Sequence, residues 1–290
     1  MILTAVAIML PPLLAAGAVF WLRRQQKLDR RRSPLTEKLA HLPGEQLRQR
    51  MGSISDKIDE HMIVLVMVGP LAILIVLLPH VQWSPLSLTW LDGVVLAAAL
   101  VFTMATVRKL VPLWREYRNC RDGMRAEIAV AQQLDRLQAG GCLVLHDLPA
   151  EKFNIDHVVL GTSAVFMVET KSRQKPGSGK ASAQVSYDGK GLQFPGWAET
   201  KPLEQARAQA RWLADYLRGE TGETVPVVPV VCLPGWYVNF GKDAGRSDVK
   251  VINPKFMSLF TDAANCPTLD AAQRTRIVHA LFKRYPALHE

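Results

Sequence analysis

The chain has 290 residues, is 49% hydrophobic and carries a net charge of +9, enough length for two domains and enough charge to invite a polyanion partner. Distribution excludes net charge as an argument for nucleic acid: residues 1–122 hold 15 Lys and Arg against 9 Asp and Glu, and residues 123–290 hold 20 against 17. The four cysteines (120, 142, 232 and 266) form no C-x-x-C pair, which excludes a structural zinc framework and leaves reduced thiols as the expectation; neither haem nor nucleotide is expected.

Three apolar stretches come first, at residues 2–22, 62–78 and 86–107. Each approaches the roughly 20 residues needed to cross a bilayer core. Arg23, Arg24, Lys27, Arg30, Arg31 and Arg32 follow the first, and Arg108, Lys109, Arg115, Arg118 and Arg121 follow the third. The loop 79–85 has no Lys or Arg. Positive charge stays on the cytosolic side, so the pattern predicts an outer N-terminus, a cytosolic loop 23–61, an outer hairpin and a cytosolic C-terminal half. Trp83 and Trp90 fall where interfacial aromatics belong, and Asp92 stands near an interface. This is the pattern of a multi-pass protein of the inner or cell membrane. A cleaved leader at residues 1–18 is the weaker reading, because that segment lacks a basic start.

After a juxtamembrane linker at 111–122, the composition becomes that of a soluble domain spanning 123–290. Residues 123–138 read as a helix in which Val130, Ala131 and Leu134 follow Glu127 on one stripe. A carboxylate on an apolar stripe is costly unless a metal, a basic partner or water offsets it. Gly140-Gly141 ends that helix and Cys142–His146 reads as a strand. A hairpin follows, Asn154–Leu160 and Val165–Lys171, turning at Gly161-Thr162-Ser163-Ala164. Further on come strands at Val225–Leu233 and Val249–Ile252, and helices at Pro202–Arg218 and Asp270–Arg284. That order predicts an α/β or α+β domain with a mixed sheet flanked by helices.

Centring the hairpin on Thr162 and Ser163 sets cross-strand partners whose numbers sum to 325, which brings Asp156 opposite Glu169. The two carboxylates then share a face, with Cα atoms about 4.5–5.5 Å apart. Lys171, two residues beyond Glu169, projects to the same side. Two like charges so placed repel. A divalent cation between them removes the conflict, and with the lysine it suits attack on a phosphate.

The runs Gly123-x-x-Ala126-Glu127, Asn154-Ile155-Asp156-His157-Val158-Val159 and Val168-Glu169-Thr170-Lys171, in that order, resemble the NERD (nuclease-related) domain over about residues 121–238. That family is regarded as a branch of the PD-(D/E)XK nucleases, so the resemblance implies a restriction-endonuclease-like mixed sheet and metal-dependent cleavage of nucleic acid, DNA foremost. It implies Asp156 and Glu169 as ligands of Mg²⁺ or Mn²⁺, with Glu127 as the helix-borne acid completing the site. Lys171 would position or activate the water, and Gln205 would face the site from a helix. Ala126 and Ala164 depart from glycines common in the family.

The Gly- and Ser-rich segment 172–194, with Arg173, Lys175, Lys180 and Lys190, reads as a flexible basic loop able to follow a phosphate backbone. Arg207 and Arg211, one helical turn apart, form a second candidate ridge for phosphates. No helix-turn-helix or zinc finger is present, so sequence-specific readout is not expected. The competing functional reading is a catalytically inactive module of the same type that tethers nucleic acid or a protein at the membrane.

Overall fold

The computed structural model describes residues 42–77, 89–177, 183–261 and 268–284, with isolated positions before residue 25. The first expected span, the loop 79–85 and Lys180 therefore lie outside the described residues, those isolated positions apart. The chain divides into two compact units, Met1–Thr36 with Arg50–Asn119, and Glu37–Gln49 with Cys120–Glu290.

Most of helix α1 (Glu45–Leu77), from Arg50, and helix α2 (Trp90–Leu134) up to Asn119 belong to the first unit. Among the described residues these are the two helices long and apolar enough to cross a membrane, where three spans were expected from the sequence. Ile63, Val66, Leu71, Ile73 and Ile75 on α1 turn outward, as do Leu91, Leu100, Val101, Phe102 and Met104 on α2. Water does not tolerate so continuous an apolar surface on a lone helix pair. Asp92 is accommodated at the start of α2 because Thr89 donates to its carboxylate from both backbone N–H (2.7 Å) and hydroxyl (2.8 Å). The helix does not restart at residue 123: it runs unbroken from the apolar stretch through the expected linker. Nothing between Leu110 and Asp122 stops it, since Pro112 is the one helix breaker there and α2 passes through it.

The second unit is a mixed α+β fold. Its larger sheet has the order β1-β2-β3-β7-β9, formed by Leu143–Pro149, Asn154–Leu160, Val165–Thr170, Val227–Cys232 and Lys250–Ile252. The first three strands are antiparallel neighbours, and β3 is parallel to β7, as β7 is to β9. The hairpin adopts the expected register, with His157 opposite Val168 and Leu160 opposite Val165. Strand β3 lies centrally and all six of its residues are buried, which explains its nearly continuous apolar run.

The end of α2 packs on one face of this sheet through Val130 and Leu134, against Val144, Val159, Phe166 and Val168. The other face meets helix α3 (Lys201–Thr221) through Leu203, Ala206, Ala210, Leu213 and Leu217, and helix α4 (Ala271–Arg284) through Ile277, Ala280 and Leu281. Pro202 sits in the first turn of α3, and Gly222 (φ 73°) caps its end by donating to the Arg218 carbonyl at 2.9 Å.

A second sheet was not legible. It has the order β6-β5-β4-β8, formed by Trp197–Glu199, Leu192–Phe194, Gln184–Tyr187 and Tyr237–Phe240. Part of the expected basic loop is therefore strand, with Val185, Tyr187, Leu192 and Phe194 buried. Phe194 stacks on Trp197 at 4.8 Å, and buried Trp236 meets Phe194 edge-on and donates its indole N–H to the Arg173 carbonyl at 3.1 Å. This contact ties the chain leaving β3 to the small sheet. Cys120, Cys142 and Cys232 are buried and outside any disulfide among the described residues; Cys266 lies outside the described residues.

Candidate active site

The candidate site gathers at the C-terminal end of β3. Glu169 is 2% exposed, and one of its carboxylate oxygens, Oε1, accepts from Lys171 Nζ at 2.5 Å and from Gln205 Nε2 at 2.8 Å. Gln205 Oε1 in turn accepts from Lys171 Nζ at 2.9 Å, which closes a three-membered knot between β3 and α3. The other oxygen, Oε2, is buried and has no hydrogen-bond partner among the described residues. An ionised oxygen so placed is expensive without a cation.

Asp156 on β2 stands one step beyond the last paired residues of the hairpin, His157 and Val168. Its Oδ2 accepts the Thr170 backbone N–H at 2.7 Å, taking over where the ladder ends. Its carboxyl is held well above the ordinary range, first by burial, then by the charges of Glu169 and Glu127; the Thr170 N–H and Lys171 oppose the shift more weakly. Glu127 reaches the same group of charges from α2. Its pKa is pushed up to about 7, chiefly by burial, then by Asp147 and Glu169, against the pull of Lys171 and a hydrogen bond from the Gly44 backbone.

Glu127, Asp156, Glu169, Lys171 and Gln205 are thus brought together. Among the described residues no group of three or more His, Cys, Asp and Glu is gathered closely enough to hold a metal ion as it stands. The donor set nevertheless suits a hard divalent cation. Three mutually repelling carboxyls and one orphaned oxygen are what such an ion would relieve, and oxygen ligands are its preferred kind.

The expected phosphate contacts fare unevenly. Arg173 is bound in two-point fashion by Glu199 at 2.7 and 2.8 Å, and Arg207 by Asp248 at 2.9–3.1 Å, so both guanidinium groups are already engaged within the domain. Arg211 on α3, Lys175 and Lys190 are exposed. Lys190 sits in the turn between β4 and β5, its backbone N–H bound by Asp188 at 2.8 Å, and not in a free loop.

His157 is fully buried, as a packed histidine should be, and belongs to a polar chain behind the site. Asp135 Oδ1 lies 3.0 Å from His146 Nε2, His146 Nδ1 lies 2.9 Å from His157 Nδ1, and His157 Nε2 lies 3.2 Å from Thr170 Oγ1. With both rings neutral, one proton order satisfies every link: Thr170 donates to His157, His157 to His146, and His146 to Asp135. Burial and the neighbouring His146 keep His157 well below its ordinary pKa, consistent with a neutral ring. Sequence reasoning missed Thr170 and Gly44 because both act through backbone N–H groups, which no side-chain pattern announces. Asp147, near-buried and at φ 50°, also escaped notice, although Asn154 binding it at 2.9 Å is the kind of local partner such a residue needs.

Residues 122–234 match the family model of the nuclease-related domain, NERD. The matched stretch contains all five residues of the cluster. No curated protein matches the chain, and neither does any solved structure.

Proposed function

We propose that the nuclease-related segment is the catalytic part of a membrane-anchored phosphodiesterase that hydrolyses nucleic acid, DNA foremost, with Mg²⁺ or Mn²⁺. The observation that carries this reading is the knot at the end of β3, where a buried glutamate with one orphaned oxygen is bound to a lysine and a glutamine beside two further acids. Glu127, Asp156 and Glu169 would hold the cation. When bound, the ion would lower the pKa of a water and offset charge on the attacked phosphate. Lys171 would orient that water and stabilise developing negative charge, while Gln205 fixes the ammonium between itself and Glu169. Asp156 is kept in place by the Thr170 N–H. Lys175, Lys190 and Arg211 are the exposed cations available to a phosphate backbone, whereas Arg173 and Arg207 serve the fold. The restriction-endonuclease-like kinship of the larger sheet belongs to the same proposal.

The outward apolar faces of α1 and α2 support anchorage in a bilayer, and the basic residues that follow the apolar part of α2 support a cytosolic position for the domain. A non-catalytic tether is the second reading. It is favoured by the engagement of Lys171 in two hydrogen bonds and by the absence of a preformed metal cluster among the described residues. The full chain in detergent micelles, incubated with plasmid, linear DNA and RNA, separates the two. The nuclease reading expects Mn²⁺-dependent cleavage that disappears in Asp156→Ala; cleavage untouched by that change refutes the site, and an absence of both Mn²⁺ binding and cleavage favours the tether.

A further inference from the structure

Outside the family-matched stretch, the residues just before α1 reach the same cluster. Gly44 is buried and lies in the left-handed region at φ 74°, where a side chain is strained. A Cβ there would fall 2.8 Å from Met124 Cγ and 3.4 Å from Met124 Cα, so the bare backbone rests directly on α2. Three residues along the helix, on the neighbouring turn, is Glu127, whose carboxyl accepts the Gly44 backbone N–H. A second close approach locks the arrangement: a Cβ on Gly123 would come within 3.0 Å of Leu47 Cδ1. A glycine therefore stands at each of these two close approaches between the segment 42–47 and α2. The helix start is closed by Glu45 N–H to Leu42 O (3.0 Å) and Arg48 N–H to Gly44 O (2.9 Å), neither of which uses the Gly44 N–H.

We infer that the segment Leu42–Leu47 is a clamp on the site, with Gly44 as a positioning residue that aims the Glu127 carboxyl, and with Gly123 providing the close seat for Leu47. The inference rests on the proposed metal-dependent reading only for its consequence, since the clamp itself is a contact within one compact unit. It gives the acid borne on α2 a partner supplied by the chain that leads directly into α1. A nuclease-related domain cut from residue 122 onward would lack it.

Hydrogen exchange on the full chain in micelles tests the clamp directly. Loss of a charge-assisted hydrogen bond releases an amide by roughly ten- to a hundredfold. Exchange in the peptides covering residues 42–44 should therefore accelerate by that factor in Glu127→Ala and stay unchanged in Gln205→Ala. Gly123→Val should likewise accelerate it and weaken Mn²⁺ binding by about tenfold, and adding Leu47→Ala, which restores room, should reverse both effects. Exchange indifferent to Glu127→Ala, a Gly123→Val defect that Leu47→Ala does not repair, or faster DNA cleavage in Gly123→Val would each overturn the inference. The exchange result needs no cleavage, so it is independent of the Asp156→Ala assay that decides the nuclease reading.

Discussion

On the proposed nuclease reading, Lys171→Ala should lower DNA cleavage by about 10²–10³-fold and destabilise the domain by about 3–5 kcal/mol at neutral pH. Glu169 is nearly inaccessible, and its Oε1 receives Lys171 and Gln205 while its Oε2 receives nothing among the described residues. Removing the ammonium leaves a buried carboxyl group with the neutral Gln205 amide as its one donor among the described residues. That is the costly half of breaking a buried ion pair, and it exceeds whatever the intact pair contributes. Gln205 Oε1 loses its donor in the same step. Lys171→Arg does not restore either property, because a planar fork cannot serve two oxygens set for a single rotating ammonium. Thermal denaturation at about pH 8 measures the stability term, and single-turnover cleavage measures the other. Unchanged cleavage in Lys171→Ala removes the lysine from the chemistry.

The second large effect concerns pH. Glu127 titrates near 7 in the folded, metal-free protein against 4.5 ordinarily, and Asp156 is shifted in the same direction from 3.8. Between those limits the folded state holds more protons than the unfolded chain, so stability must fall as pH rises. The contribution is complete below about pH 4.5 and is lost as pH climbs through about 7. A cation does the work of the protons once the acids ionise. Melting in chelator should therefore drop by several degrees between about pH 5 and pH 8, and Mn²⁺ should restore it at the alkaline end alone, by about 2.7 kcal/mol at a hundredfold excess over its dissociation constant. A melting temperature in chelator that rises over this interval contradicts the carboxyl cluster.

How much of this was visible beforehand follows from the kind of signal each feature leaves. The hairpin register was legible because a turn of fixed length and a period-2 pattern determine partners, so Asp156 and Glu169 could be set opposite each other from residue numbers alone. The polar residue Gln205 was traceable only through resemblance, and the structure brings it to Lys171 and Glu169. The second sheet escaped because its strands are three or four residues long and its glycines and lysines imitate a loop. Val185 and Tyr187, alternating with exposed Gln184 and Ser186, carried the strand signal in too short a run to decide. Arg173 and Arg207 looked free because their partners, Glu199 and Asp248, lie 26 and 41 residues away. The continuity of α2 was hidden by the change of composition near residue 108, which marks a change of surroundings and not a break in the helix.

Titration calorimetry of the full chain with Mn²⁺ at about pH 8, above the pKa of about 7 to which Glu127 is pushed, bears most directly on the cluster at the end of β3. Saturable binding should appear in the unaltered protein and vanish in both Asp156→Asn and Glu169→Gln, each of which keeps the shape and removes a charge. Binding of equal strength in all three proteins, or no binding in any, contradicts a cation held by Glu127, Asp156 and Glu169.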